Sequence, residues 1–582
     1  MLNRWRRKFS RTNTEHLTYK PLEGSEIRLL RVEKESSADG GEIFCQLKHV
    51  KLDSKPVYVA LSYVWGDPNK TKPIIVNGKR LDVTENLYAA LLRIKSQSTW
   101  IWKGLKVPAS NLVLWIDAIC IDQGNVVEKS KQIPRMDSIF SSAYITLVWM
   151  NSTEQIDRDK FLLFMQTGAS LAHWFKHSEG RSPSQIIGDL GRDREAVQDV
   201  YGYIVDNPWF SRLWTAQEYL LSARPAYAWF QSSLFPLWTV GAINHAFRKE
   251  DTTTERFSGW IASDSLGELG ETRARIRSAD HKALPLSDRI FYLLGSTIGR
   301  KCSLPHDLVY GILGMTDLTK LPQSLIPNYA LPFSKVYWDY TKYIVENTGN
   351  LSLLPCSENH LQGVPSWVPD LRYGVSRQDL TPSTTDSISF SADGNELTIR
   401  GVEFARVLGR LERQDHMTRS CMREFVETIL TAAAWIRRRP LEDIFIEWLK
   451  DAIQTPGITT HLLNRWPTVE SFIESFEAGL EYIGEGFRFD PLFVTLGTYV
   501  CSHYICLLDN GDIIHCNYPR ALQDGNESVW VVKGCENPFV LTQTKKGYLF
   551  KGSIVSICGE LLTLVFGEEI FSSRDVREII LI

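Results

Sequence analysis

Residues 114–123, LWIDAICIDQ, decide the fold together with residues 61–67, LSYVWGD. Each stretch is at first rich in Val, Leu, Ile and aromatic residues, and then delivers Asp and other polar residues. An apolar run of this kind is typical of a strand that is covered on both faces. In a parallel α/β sheet, ligands bind at the edge where such strands end. We therefore expect Asp117, which closes its apolar run, to lie at the ligand-binding edge of a sheet.

Strand patterns and a helix pattern surround these two stretches. Residues 27–32 and 42–47 alternate as a strand pair would. Asn77-Gly78 lies between two apolar runs, and this arrangement predicts a hairpin with a type I′ turn. Thr84 is a suitable N-cap for a helix, because apolar residues follow it at helical spacing. These are Leu87, Leu91 and Ile94.

A second helix and a further strand follow residues 114–123. Pro134 is tolerated only in the first turn of a helix, so this helix is predicted to begin near Gln132. Residues 144–149 are apolar and β-branched, as in a buried strand. The order strand, helix, strand, helix, strand predicts a mainly parallel sheet with helices on both faces, because parallel neighbours need crossover connections.

The chain is too long for one hydrophobic core, since it has 582 residues. Residues 1–24 are predicted to be a flexible basic tail, and residues 25–230 an α/β domain. Residues 231–380 have helical periodicity and are predicted to pack on that domain. A polar Ser/Thr/Pro stretch begins at residue 381. We expect residues 381–582 to form a smaller C-terminal α+β region with a helix near residues 423–436.

Composition and charge exclude several classes of function. A formal net charge of -3 gives no general attraction for nucleic acid or for an anionic membrane. No apolar stretch is long enough to span a bilayer, and no secretory signal is recognisable. The 10 cysteines are scattered without a C-x-x-C pair, so we expect reduced thiols and no zinc site. The prediction is a cytoplasmic protein with no metal, no nucleic-acid partner and no membrane span.

Trp214 and Glu218 are the first candidate site residues. They lie four residues apart after a helix-start signal, and therefore on one face of a helix. An aromatic ring beside a carboxylate can hold a ribose or a base, and it can stabilise positive charge on a sugar carbon. The alternative is that Trp214 belongs to the core and that Glu218 pairs with Arg212 or Arg224.

The ends of the two apolar runs supply the other candidates. Asp117 is either a ligand-binding carboxylate or the cap of the next turn. Trp65, Gly66 and Asp67 form either a binding loop or a tight turn with a buried Trp. We interpret Glu128, with its neighbours Lys129 and Gln132, as a solvated or capping group.

Together these pieces resemble the fungal heterokaryon incompatibility (HET) family. The matching pieces are residues 58–66, 83–87, 114–123, Gln132 with Met136, 142–143, and Arg212-Leu213-Trp214 with Gln217-Glu218. Residues 307–314, 365–370, 534–541 and 559–560 are similar to the companion region of such proteins. Asp122, Lys129, Pro134 and Met150-Asn151 depart from the family pattern.

The HET module is similar in turn to TIR domains, and this resemblance implies a TIR/flavodoxin-like sheet. Some TIR domains cleave NAD at the nicotinamide–ribose bond, and a Trp followed four residues later by Glu marks their catalytic carboxylate. By resemblance, Glu218 is the catalytic residue, and NAD is a candidate substrate with no cofactor required. The residues expected to bind the ligand are Trp65, Gly66, Asp67, Asp117 and Trp214.

The resemblance implies a role in heterokaryon incompatibility, non-self recognition or regulated cell death. The expected partner is a second copy of the chain or another incompatibility protein. Two alternatives stay open: a signalling or self-association scaffold without enzymatic activity, and an inactive divergent paralogue.

Overall fold

The structure of the protein, a computed structural model, divides the chain into two compact units. The first comprises Met1–Leu284, Arg300–Ser303 and Tyr310–Thr319, and the second Pro285–Gly299, Leu304–Val309 and Lys320–Ile582. The structure describes residues 15–33, 42–96, 112–151, 156–250, 270–354, 361–373, 388–411, 421–453, 468–481, 500, 504–517, 526–558 and 569–582, apart from residues 179, 225, 232, 271, 298, 317, 534 and 536.

A nine-stranded sheet forms the centre of the first unit, in the order β5-β4-β2-β1-β6-β3-β7-β8-β9. The strands are β1 Glu26–Val32, β2 Phe44–Lys51, β3 Val59–Tyr63, β4 Thr71–Val76, β5 Lys79–Thr84, β6 Leu114–Trp115, β7 Ile145–Met150, β8 Tyr227–Phe230 and β9 Ser233–Pro236. The neighbours β6, β3, β7 and β8 are parallel, and β2 is parallel to β4. The remaining pairs are antiparallel.

The prediction of a mainly parallel sheet was therefore wrong in its proportions, because the sheet is mixed. Crossover connections join the parallel neighbours, which are the four central strands and the flanking pair β2 and β4. The other neighbours are antiparallel, and the hairpin between β4 and β5 reverses the chain direction. In that hairpin Asn77 and Gly78 have φ of 52° and 81°, as the predicted type I′ turn requires.

Helices cover both faces of this sheet, as predicted. Strand β7 contributes Leu147 and Trp149 to one core and Val148 and Met150 to the other, because alternate side chains point to opposite faces. The helices of this unit are α1 Glu85–Ser96, α2 Asp117–Cys120, α3 Val126–Gln132, α4 Met136–Ser142, α5 Arg158–His177, α6 Pro183–Gly188, α7 Arg194–Val205, α8 Leu213–Leu221, α9 Trp238–Glu250 and α10 Ala279–Ala283.

Both predicted helix starts lie close to the observed ones. Helix α1 begins directly after Thr84 and buries its predicted apolar face, but the buried Thr84 hydroxyl has no hydrogen-bond partner among the described residues and so does not act as the predicted cap. The helix predicted near Gln132 begins as the 3-10 turn Ile133–Arg135, which leads into α4, and α3 precedes it from Val126, where Asn125 accepts a hydrogen bond from the backbone NH of Glu128. Pro134 lies in the first turn of a separate 3-10 segment, which accommodates its missing NH.

Residues 15–24, which we had placed in the tail, are packed on the first unit. The Leu17 NH donates to the Arg80 carbonyl at 2.8 Å, and the Tyr19 hydroxyl donates to the Ile119 carbonyl at 3.0 Å. The Leu17 contact continues the β5 edge of the sheet, whereas the Tyr19 contact fixes this segment to α2.

Glu128 is buried in an ion pair, so the interpretation of this residue as a solvated group was wrong. Its Oε1 lies 2.6 Å from Arg28 Nη1, and its Oε2 lies 2.9 Å from Arg28 Nη2. The same Glu128 Oε1 accepts from the Asp122 NH, and Arg28 also donates to the Cys120 carbonyl. The pair therefore fixes the segment after β6 to β1, across a separation of 100 residues.

The second unit contains an eight-stranded, mostly antiparallel sheet. Strand β11 pairs with both β12 and β14, so six strands form a closed ring in the order β11-β12-β13-β16-β15-β14. The strands are β10 Ser389–Phe390, β11 Leu397–Leu411, β12 Tyr504–Leu508, β13 Ile513–Asn517, β14 Glu527–Val532, β15 Phe539–Gln543, β16 Tyr548–Cys558 and β17 Arg577–Leu581.

The remaining helices follow in chain order. They are α11 Leu286–Thr297, α12 Asp307–Leu313, α13 Phe333–Thr348, α14 Cys421–Phe425, α15 Thr431–Arg437, α16 Leu441–Ile453, α17 Val469–Glu481 and α18 Glu569–Ser573. Helices α14 and α15 are joined by a π-helical turn and match the helix predicted near 423–436. The polar stretch from residue 381 lies outside the described residues. None of the helices described here is long and apolar enough to cross a membrane.

Candidate active site

Two of the predicted pieces meet at the carboxyl ends of β3 and β6, which are parallel neighbours. The indole Nε1 of Trp65 donates to Asp117 Oδ2 at 2.7 Å. The Ala118 NH donates to Asp117 Oδ1 at 2.7 Å, where helix α2 begins. Asp117 therefore caps the turn at the start of α2, as one of the two interpretations predicts, and it also holds the Trp65 ring.

Glu218, on α8, lies next to this pair. Its side chain is nearly enclosed, with 6% of the residue exposed, and its Oε2 has no hydrogen-bond partner among the described residues. Burial, and then the negative charge of Asp117, raise the pKa of Glu218 to about 8. A hydrogen bond with Ser62, at the end of β3, opposes this rise. The carboxyl is therefore mostly protonated at neutral pH.

Asp117 and Tyr63 complete the polar cluster. Burial raises the pKa of Asp117, although hydrogen bonds from Trp65 and from the backbone of Ala118 oppose the rise. Burial, followed by the charges of Asp117 and Glu218, raises the pKa of the Tyr63 phenol well above its usual range. Two carboxyl groups and a phenol thus share one site, and each resists ionisation.

No salt bridge joins Glu218 to either arginine of the alternative interpretation within the described residues. Arg212 lies close enough to lower the pKa of both Asp117 and Glu218, but the Glu218 Oε2 stays unpaired. The guanidinium of Arg224 lies over the Tyr144 ring, 4.2 Å from its centroid. Glu218 is therefore not neutralised by an internal ion pair.

The loop after β3 contains the next two predicted residues. Gly66 is exposed and has φ of 81°, a conformation that glycine adopts without strain. Asp67 is exposed, and its Oδ1 accepts from the Asn69 NH at 2.9 Å, so this carboxylate stabilises a turn. The structure keeps both residues on the loop that carries Trp65 but shows no contact of Asp67 with the buried carboxyls.

Trp214 is half-buried, and its ring packs beside Gly311. A Cβ atom on this glycine would lie 4.0 Å from Trp214 Cζ2, an ordinary van der Waals distance. The neighbouring Gln217 fills the space next to Gly314. The structure thus brings Trp65, Asp117 and Glu218 together, and it packs Trp214 on the segment Tyr310–Thr319 of the same unit.

Asn86 is a site residue to which the sequence analysis gave no role. Its Nδ2 donates to the Val64 carbonyl at 2.5 Å, and its Oδ1 accepts from Trp149 Nε1 at 3.0 Å. Asn86 therefore ties the loop after β3 to the end of β7. Its position in the matching piece 83–87 was the available signal, but the two partners are distant in sequence.

Ser62 and Tyr63 likewise had no predicted role in the site, and Arg212 was expected there only as a possible ion-pair partner of Glu218. Ser62 Oγ accepts from Trp209 Nε1 at 2.7 Å and lies beside Glu218. All three residues stand in matching pieces, at the end of β3 or just before α8. Within the described part of the chain, no group of three or more His, Cys, Asp or Glu residues is arranged to hold a metal ion.

Residues 58–218 match the model of the family described as heterokaryon incompatibility protein (HET). The chain carries a heterokaryon incompatibility domain. The predicted family resemblance is thereby confirmed for the segment that begins just before β3 and ends at Glu218. All of the polar cluster lies within this HET domain, whereas the downstream companion pieces lie outside the matched residues.

One curated relative of the HET-domain chain is "Heterokaryon incompatibility protein 6, OR allele" of Neurospora crassa. The two are 29% identical over 232 residues, which cover 35% of this chain and 33% of the relative. The chain thus spans about a third of the length of the relative it matches. No solved structure matches the chain.

Proposed function

We propose that this HET-domain protein acts in fungal heterokaryon incompatibility, and that its HET domain cleaves NAD at the nicotinamide–ribose bond. The name of the relative and the family match support the first part. One observation carries the second: the buried Glu218 carboxyl has an unpartnered Oε2 and lies beside Asp117 and the anchored Trp65 ring. We place the activity in the cytoplasm, where it would lead to regulated cell death on non-self recognition.

The raised pKa of Glu218 suits a positively charged ligand. The pyridinium of NAD, placed beside Glu218, would favour the ionised carboxyl and release its proton to solvent. The glycosidic bond then breaks, and its electron pair passes to the nicotinamide nitrogen. The carboxylate faces the positive charge that develops on the ribose carbon, and an enclosed site strengthens this attraction.

Water completes the reaction. It adds to the ribose carbon, and its proton passes to the Glu218 carboxylate, which restores the protonated carboxyl. The products are nicotinamide, ADP-ribose and the proton released on binding, so water is the co-substrate and no cofactor is required. The Trp65 ring, whose Nε1 is held by Asp117, offers a fixed aromatic surface for the ligand.

The enclosure of Glu218 favours a second candidate function. A carboxyl with only 6% of its residue exposed can serve as a closed polar core of a signalling scaffold. Such a scaffold would self-associate or bind another incompatibility protein without turning over NAD. An inactive divergent paralogue would behave in the same way in an NAD assay.

Release of nicotinamide from NAD by the purified full-length chain separates these functions. The assay is run with and without enforced oligomerisation, on the parent protein, on Glu218→Gln and on Glu85→Gln. Glu85 is an exposed carboxylate on α1 and serves as the matched control. We expect Glu218→Gln to lose roughly 100-fold or more of the rate, as for other electrostatic groups of an active site, and Glu85→Gln to keep it. Equal rates in the parent and Glu218→Gln would remove Glu218 from the mechanism.

A further inference from the structure

Helix α8, which carries Glu218, is held at both ends by arginines that lie outside residues 58–218. At its N-terminal side, Arg300 Nη1 donates to the carbonyls of Phe210 at 2.8 Å and Arg212 at 3.2 Å. Arg300 is almost fully enclosed, and burial lowers its pKa to about 10. A buried cation without such acceptors would be strongly destabilising, so the hydrogen bonds to these two carbonyls stabilise the Arg300 guanidinium.

The backbone next to Arg300 strengthens the same attachment. The Lys301 NH donates to the Ser211 carbonyl at 2.6 Å, and the Leu213 NH donates to the Lys301 carbonyl at 3.0 Å. The residues that lead into α8 therefore pair with residues 300–301 as one strand pairs with another. This pairing fixes the direction in which α8 starts.

Two further arginines hold the C-terminal end of α8. Arg273 Nη2 donates to the carbonyls of Ser222 at 2.5 Å and Arg224 at 2.7 Å, and its guanidinium lies 5.1 Å from the centroid of the Tyr219 ring. Arg277 Nη2 also donates to the Ser222 carbonyl. Cations are favourable at a helix C-terminus, where the carbonyl dipoles point outward.

The positive charges of Arg273 and Arg277 repel each other where the two side chains converge. Both guanidinium groups approach the same carbonyl, and burial, followed by the charge of Arg273, lowers the pKa of Arg277. The hydrogen bonds that each guanidinium donates offset this repulsion. Here the acceptors are the carbonyls of Ser222 and Arg224, which directly follow the helix that bears Glu218, and, at 3.5 Å, the carbonyl of Leu220 in its last turn.

We propose that Arg273, Arg277 and Arg300 are positioning residues for Glu218, which clamp both ends of its helix. The clamp acts through α8 and touches no reacting atom. It holds Glu218 against the end of β3, next to Ser62 and Asp117, and keeps water out of the space around its Oε2. A HET domain cut after residue 218 would lack all three arginines.

The proposal concerns the site of the proposed function, but its test does not use NAD. The infrared difference spectrum between the full-length protein and its Glu218→Gln variant isolates the band of the protonated Glu218 carboxyl. Its loss with rising pH gives the titration midpoint. The same pair of spectra is recorded in the Arg300→Met, Arg300→Lys and Arg273→Met/Arg277→Met backgrounds, and in Arg224→Met as an exposed-arginine control.

A loosened clamp should admit water and bring the midpoint down toward that of an exposed Glu, by on the order of one pH unit. We expect this fall in Arg300→Met and in Arg273→Met/Arg277→Met, a partial return in Arg300→Lys, and no change in Arg224→Met. Clamp variants that fold and keep the parent midpoint would overturn the proposal, even if they melt earlier. If Arg300→Met does not fold, the Arg273→Met and Arg277→Met single variants decide by the same criterion.

Discussion

Replacing Glu218 with Gln should stabilise the protein at neutral pH, because the folded state resists ionisation of this carboxyl. The pKa of Glu218 is about 8 in the folded protein, against 4.5 for an ordinary Glu. The unfolded chain therefore loses its proton near pH 4.5, whereas the folded chain keeps it until about pH 8. A pKa raised on folding gives stability that is complete below the unfolded pKa and declines as pH rises through the folded pKa.

The size of the effect follows from the same two values. Each pH unit in this window removes about 1.4 kcal/mol from the free energy of unfolding. Between pH 4.5 and pH 7 the parent should lose about 3 kcal/mol that Glu218→Gln retains. Any effect of the amide itself does not depend on pH, so it cancels when the difference between the two proteins is compared across pH.

Urea unfolding of both proteins, at pH values from 4.5 to 8, measures this difference. Glu85→Gln controls for removal of a carboxylate at an exposed site. Equal m-values would show that both variants unfold the same structure. A stability difference between Glu218→Gln and the parent that stays constant across this range would refute the reasoning, since it would mean that Glu218 is ionised in the folded protein.

Three further predictions concern the framework of the site. Arg28→Met should destabilise the first unit by about 3–5 kcal/mol in urea unfolding, because it leaves Glu128 buried without its partner. Burial alone would raise the pKa of Glu128, but Arg28 and the Asp122 NH lower this pKa overall. The stability that ionised Glu128 contributes should therefore be present above the unfolded pKa and disappear as pH falls. This prediction is wrong if the parent and the Arg28→Met/Glu128→Leu variant lose the same free energy of unfolding as pH falls. Asn86→Ala should cost about 1–3 kcal/mol in thermal unfolding, because Trp149 Nε1 loses its acceptor; Asn86→Asp, which keeps the acceptor, should cost less. Equal losses in both Asn86 variants would be evidence against this role.

The sequence predicted local features well where short-range chemistry determines them. The apolar spacing after Thr84 predicted the buried face of α1, and Asn77-Gly78 predicted the hairpin turn. The directions of the flanking strands depend on partners distant in the chain, so the alternating pattern could not predict a mixed sheet. The strand-end rule brought Asp117 and Trp65 to one edge, and the structure joins them by a hydrogen bond.

The errors at the site have the same physical origin. Glu128 resembles a helix-start carboxylate in sequence, and only the fold shows that Arg28 reaches it from β1. The arginines that hold α8 come from residues 273–300, which show no strand or motif pattern of their own. The unpaired Oε2 of Glu218 depends on where the neighbouring arginines point, and spacing along the chain does not determine this.

The central claim is that the enclosed Glu218 carboxyl faces a cationic ligand, and calorimetric proton counting tests it most directly. A carbocyclic NAD analogue, which keeps the pyridinium but resists cleavage, is titrated at pH 7 in buffers of different ionisation heat. The parent should release close to one proton on binding, and Glu218→Gln close to none. Absence of binding by the parent, or equal proton release from both proteins, would contradict the account.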